Sequence, residues 1–303
     1  MRNITSILIL LSVAMPFSVR PSSAGEAVKM KYFRSVYADD KEVGLHSPEG
    51  VGCDDKGRLF VADSGNGRLV QYTVRGGEVS LGKEIKVPEL AVPIRVQLNS
   101  KGEVFVLDGR HPRIVRLGSE GDYRGHVGAA GAPPPDTIVP RSFAIGKDDS
   151  LYVLDMFGGR VLILDPEGKF KGQIEFPKDY KVITDIAVDR KGDIYLVDSV
   201  AAVVYVAPKG SGRFSSLTEP MKETMRFPAT IATDDRGIIY VADRNKGVIY
   251  LLDQSGALRG EQLRMGWDEG RLRYPSQLCV NGEGEVFIAD RENNRVQIFT
   301  AVR

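Results

Sequence analysis

This sequence is short of the residues from which most catalytic centres are assembled. It has three histidines, His46, His111 and His126, and two cysteines, Cys53 and Cys279. No G-x-S-x-G elbow, phosphate-binding loop or dinucleotide fingerprint occurs, so its 33 glycines serve turns and not phosphate cradles. Charge of one sign is lacking too. With 41 basic and 40 acidic side chains there is no bulk attraction to nucleic acid or to an anionic membrane. The one long apolar run is N-terminal: Arg2 precedes Ile4 to Phe17, and Ser22-Ser23-Ala24 supplies small residues for cleavage, so 1–24 reads as a signal peptide. No cysteine lies near that cleavage site to carry a lipid. Without the peptide the chain has 39 basic and 40 acidic groups, and no later stretch is fit to span a membrane. An exported protein, periplasmic or extracellular, is expected, and in that setting a disulfide is permitted.

What is present is a repeat. Pro48 is followed at fixed offsets by Gly57, Asp63 and Arg68, and Pro93 by Gly102, Asp108 and Arg113. Pro140 leads to Asp149, Asp155 and Arg160, and Ile183 to Gly192, Asp198 and Val203. Pro228 leads to Gly237, Asp243 and Val248, and Pro275 to Gly284, Asp290 and Arg295. Start-to-start spacings are 45, 47, 43, 45 and 47 residues. Each unit holds short apolar runs separated by turn residues, with apolar character falling along the unit. The first two runs are apolar on both faces, the third alternates and the fourth is polar. That gradient is what a β-propeller blade shows from axis to rim. The fold expected is all-β: 25–303 as a single six-bladed β-propeller. The last unit stops after its third run, and residues 30–37 belong to no repeat. Pairing 30–37 with that blade would close the ring and remove an open edge.

The unit P-x-x-[VI]-A-V-D-x-x-G-x-[IV]-Y-V-A-D-x-x-N-x-R-[IV] resembles the NHL repeat, best in 227–249 and 274–299, and the resemblance runs over residues 30–303. It implies a propeller that serves as a binding platform in many settings, with only some enzymes among its relatives. Peptide-amidating lyases with related propellers hold a metal at the channel with several histidines. Here the three histidines occupy unrelated positions, so no zinc site is expected. Lactonase-type propellers hold Ca2+ in the channel. Glu49 and Asp185 lie where they could reach it, but Arg95 and Arg141 stand beside them, so self-neutralisation is expected and no cofactor. The six aspartates closing the second runs, from Asp63 to Asp290, are expected to bond the loops they open, and the four arginines five residues on to pair with them or with a neighbouring blade. The aromatics at one position in every unit (Phe60, Phe105, Tyr152, Tyr195, Tyr240, Phe287) are expected to pack between blades.

Function is expected on one face. The loops between second and third strands share that face with the starts of the first strands, and their residues vary while the strands repeat. It gathers Arg95, Arg110, His111, Arg141, Arg244, Lys246 and Arg291 against Glu49, Asp185 and Glu292, with Phe157 and Trp267 adding apolar contact. An acidic peptide, a C-terminal carboxylate or an anionic small molecule would suit it, since a guanidinium binds a carboxylate bidentately. Arg95 and Arg141, starting adjacent blades, are the expected pair. The reading is a monomeric, non-enzymatic binding propeller with a protein or peptide partner. A metal-dependent lyase or lactonase acting at the channel mouth is the alternative. Cys53 and Cys279 start neighbouring blades. They are either disulfide-bonded across the interface or two small buried apolar residues.

Overall fold

The computed structural model describes residues 28–80 and 82–302. The segment read as a signal peptide lies outside the described residues. Six antiparallel sheets stand around one axis, each running inner strand to outer strand. Blade 1 comprises Gly50–Cys53, Arg58–Asp63 and Arg68–Arg75. Its outer edge, expected as one polar run, is split into Glu78–Val79 and Lys83–Ile85. Blades 2 to 5 have four strands each, and blade 4 ends in the two-residue strand Ser215–Ser216. Blade 6 is built from both ends of the chain. Pro275–Val280, Glu285–Asp290 and Arg295–Val302 are followed outward by Lys29–Val36, which pairs antiparallel with the last strand from Lys29–Val302 to Val36–Val296.

The turn after each inner strand needs a left-handed residue, and the repeat supplies it. Gly57, Gly102, Gly192, Gly237 and Gly284 have φ between 78° and 91°, and Asp149, the one substitute, has φ 61°. At the other end of the inner strand the ladder is irregular. Register shifts fall between Pro93 and Arg95, Pro140 and Ser142, Ile183 and Asp185, and Pro228 and Thr230, with a longer one between Pro275 and Leu278. Each is a bulge that leaves the second residue of the strand unpaired and re-aims its neighbours.

The core is six separate apolar layers, one per blade interface. Alternation along the second strand sorts its side chains between them. Leu59 and Val61 pack with Phe287 and Ile298 of blade 6, whereas Phe60 and Ala62 pack with Val96 and Val106 of blade 2. The repeated aromatic position therefore fills the interface with the next blade each time. Phe60, Phe105, Tyr195, Tyr240 and Phe287 are buried there, and Tyr152 is half-buried. Each buried aromatic contributes about 1.5–3 kcal/mol.

The six aspartates are all fully buried. Each accepts backbone N–H groups from the connection leading into its own blade. Asp63 bonds His46 N at 2.7 Å, Asp198 bonds Lys181 N and Val182 N, and Asp243 bonds Arg226 N and Phe227 N. Three of the four arginines pair with them: Arg68, Arg160 and Arg295, at 2.7, 3.1 and 2.8 Å. Arg113 does not, because His111 Nδ1 occupies Asp108 at 3.2 Å and Arg113 turns to the Glu89 carbonyl. The alternation expected in Arg295–Phe299 does not expose its polar residues either. Gln297 is buried because its amide donates to Asp290 at 2.8 Å and accepts from Gly270 N at 2.8 Å.

Candidate functional site

The third residue of every inner strand, counted from the repeat's first position, points at the axis: Gly50, Arg95, Ser142, Asp185, Thr230 and Gln277. Together they plug the channel. Arg95 crosses from blade 2 to donate to Phe143 O at 2.8 Å and Ile186 O at 3.1 Å, and pairs with Asp185 at 2.6 Å. Asp185 also accepts from Ser142 Oγ at 2.5 Å, Thr230 Oγ1 at 2.6 Å and Ile231 N at 2.9 Å. Gln277 accepts from Val51 N and Val96 N and donates to Val96 O at 3.0 Å. Blade 1 carries glycine here because a Cβ on Gly50 would meet the Arg95 Cα at 3.0 Å. Arg95 is 7% and Asp185 2% exposed. Burial of such charges is tolerated because every polar group is answered.

Arg95 and Arg141 are therefore not a pair on one surface. Arg141 is the bulged second residue of its strand and is exposed, whereas Arg95 is spent on the plug. Glu49 and Asp185 do not converge either. Glu49 lies 3.1 Å from Arg291, out on the face. Among the described residues no three His, Cys, Asp or Glu come together to hold a metal ion. The donors expected for calcium are engaged elsewhere, and the residues present do not fit that ion.

Below the plug, at the end where the inner strands turn back, a cavity of about 340 Å³ opens. Its rim includes Asp54, Lys147, Asp189, Arg190 and Asp235. Asp54 is paired with Arg58 at 2.7 Å and Asp235 with Lys147 and Arg190, and Asp189 accepts from the Lys191 and Asp193 amides. Cys53 and Cys279 sit at this mouth and are joined, with S–S 1.94 Å and Cα atoms 6.0 Å apart. The inner strands converge enough near the axis for a bridge that blade sheets further out could not span.

The opposite, upper face differs. Arg110, Arg141, Arg226, Arg244 and Arg273 have no carboxylate of the described residues within salt-bridge distance. His111 is held by Asp108, and the Lys246 ammonium caps the Thr224 carbonyl. Arg291 is paired with both Glu49 and Glu292, although its Nε is not aligned for a hydrogen bond with Glu49. Exposed apolar groups share this face. Trp267 is 71% and Phe157 64% exposed. Reading the loops missed Tyr274, which has φ 59° and carries two guanidinium groups on its ring, Arg244 at 4.9 Å and Arg291 at 5.5 Å. It also missed Arg273, which lies over Trp267 at 4.6 Å. The available signal was position: Lys181, Arg226 and Arg273 each stand two residues before an inner strand, where the backbone N–H is committed to the buried aspartate.

The NHL repeat family matches the sequence at residues 45–72 and 272–299. No curated protein is significantly similar in sequence. Among solved structures, a streptogramin B lyase superposes with TM-score 0.63 at 14% identity, over 93% of this chain and 100% of that one. A virginiamycin B lyase from Staphylococcus aureus does so with TM-score 0.62 at 15% identity, over 91% and 100%. The PQQ-bound form of an aldose sugar dehydrogenase from Streptomyces coelicolor gives TM-score 0.64 at 16% identity, over 91% and 98%. At such identities the likeness is one of fold. With six sheets around one axis and the repeat recognised in its first and last blades, the chain is a six-bladed β-propeller that carries NHL repeats.

Proposed function

We propose that this is an exported, non-enzymatic binding propeller that recognises a protein, peptide or anionic ligand on its upper face. One observation carries the reading. Of the eleven exposed large hydrophobic residues described, all but Tyr123, Leu258 and Val302 lie in the connections that form this face, together with the arginines that lack a carboxylate. Exposed apolar groups gathered on one side and rimmed by polar residues mark an interaction surface. At the lower mouth, by contrast, Asp54 and Asp235 are each paired with a cation.

The test is capture from an envelope fraction or culture supernatant with three proteins side by side. Wild type and a lower-mouth variant, Lys147→Ala with Arg190→Ala, should retain the same partner. An upper-face variant, Phe157→Ser with Arg141→Ala, should lose it. The reverse pattern would place the site at the wrong end. Metal analysis of the purified protein addresses the enzymatic alternative, which a stoichiometric, chelator-resistant Ca2+ or Zn2+ would favour.

A further inference from the structure

We propose that the sector of the upper face formed by blades 5 and 6 docks an acidic polypeptide segment, with Arg244 and Arg273 taking its carboxylates. This rests on the upper-face reading above and narrows it to one sector and one partner chemistry. The first support comes from comparing equivalent positions around the ring. The residue following the buried aspartate is Ser64, Gly109, Met156, Ser199, Arg244 and Arg291 in blades 1 to 6. The residue two before the inner strand is His46, Ala91, Ile138, Lys181, Arg226 and Arg273. Blades 2 and 3 carry no charge at either position, and blades 5 and 6 carry arginine at both. A feature confined to one sector of a repeating frame is not needed to hold the frame together.

The second support is geometric. Arg244 and Arg291 lie over the ring of Tyr274, and Arg273 lies over Trp267. A guanidinium resting on an aromatic face loses little further entropy on binding and keeps its edge for a bidentate partner. The third support is an unmet donor. Arg291 already has Glu49 and Glu292. Arg244 has no carboxylate among the described residues and is only half-buried, so its guanidinium edge is open to a ligand carboxylate.

A polypeptide suits this sector better than a small anion. The cations come from two blades, with Arg244 and Arg291 at the Tyr274 ring and Arg273 at Trp267, so several carboxylates along a chain can be met at once. Between them Met265, Trp267 and Tyr274 expose apolar surface that would cover the chain's own apolar side chains. Across that surface the acids Glu49, Glu292 and Asp268 lie within salt-bridge distance of Arg291 and Arg271, whereas Arg244 and Arg273 have no carboxylate among the described residues, which favours an acidic segment.

Trp267 is the single tryptophan of the chain, so its emission reports on the sector directly. The full protein is titrated at constant ionic strength with a hexaglutamate peptide, with hexalysine, with inorganic phosphate and with a thymidine oligonucleotide. Hexaglutamate should give a saturable change in Trp267 emission and protect it from acrylamide, and the other three should not. Arg244→Ala and Arg244→Gln, checked for unchanged folding by circular dichroism, should weaken the peptide by about tenfold or more. Lys147→Ala at the lower mouth should leave it unchanged. No saturable response to hexaglutamate, an equal response to phosphate or oligonucleotide, or normal binding by both Arg244 variants would overturn the proposal. A captured native partner that survives Arg244→Ala but is lost with Phe157→Ser and Arg141→Ala would sink the sector and leave the upper-face reading standing. Loss only through Lys147→Ala with Arg190→Ala would sink both.

Discussion

Arg95 and Arg141 belong to adjacent blades, begin equivalent strands and differ by one place in the repeat, yet one holds the ring together and the other faces solvent. Arg95 is third in its strand and enters the axis, where Asp185 and two carbonyls consume it. Arg141 is second, on a bulge, and stays exposed. The contrast extends to the regions they represent. Around the axis every charge is matched by a partner from another blade. Across the upper face several arginines have none among the described residues. In a repeat protein, then, residue type says little about role. Position within the repeat decides whether an arginine is framework or contact.

The contrast can be broken or sharpened experimentally. The largest effect should follow from opening the ring that both regions share. Deleting residues 29–36 strips the outer strand from blade 6 and exposes the edge of Arg295–Val302. The deleted protein should aggregate or lose cooperative unfolding in urea, and a variant as stable as the parent would show that closure does not depend on this strand. Next comes the axis. Asp185→Ala leaves Arg95 buried without its counter-charge and should cost about 3–5 kcal/mol in denaturant unfolding. A loss below about 1 kcal/mol would mean the plug is not the tightly matched network described.

Third is the bridge at the lower mouth. Replacing Cys53 and Cys279 with serine frees a loop of 226 residues in sequence separation and should cost about 2–4 kcal/mol. Titration in denaturant without reductant should find no free thiol in the parent. Fourth is acid. Burial opposes ionisation of Asp39, but hydrogen bonds from the Val43 and Lys41 amides and the Arg68 guanidinium outweigh it and hold its carboxyl below the ordinary value. Its contribution is therefore present above the unfolded value near pH 4 and is lost as pH falls through the lower folded value. Unfolding midpoints followed down through that range should fall less steeply for Asp39→Asn than for the parent. The smallest effect belongs to the face. Arg141→Ala should move stability by no more than about 0.5 kcal/mol, and a larger loss would make Arg141 part of the framework after all.

Much of the fold was legible because it rests on local rules repeated six times. The turn glycine, the closing aspartate and the aromatic between them follow from turn chemistry and strand alternation, and both hold blade by blade. Asp149 could stand for glycine because aspartate tolerates a left-handed backbone. The outer strands were harder to place. They carry few apolar residues, and Ser215–Ser216 is a two-residue strand paired with Val206 and Tyr205.

The sequence by itself determined the number of blades, their phase, the apolar faces that join them and the sign of the loop charges. All of these depend on residues close in the chain or on exact repetition. Tertiary structure decided which side chains reach the axis and which remain free. A bulge at the second residue of the inner strands of blades 2 to 6 cannot be read from the residue types, and it shifts the register that sends Arg95, Ser142, Asp185, Thr230 and Gln277 inward. Nor could sequence spacing reveal that Tyr274 would lie beside arginines from two different blades, since Arg244 and Arg291 come together only when blades 5 and 6 stand side by side.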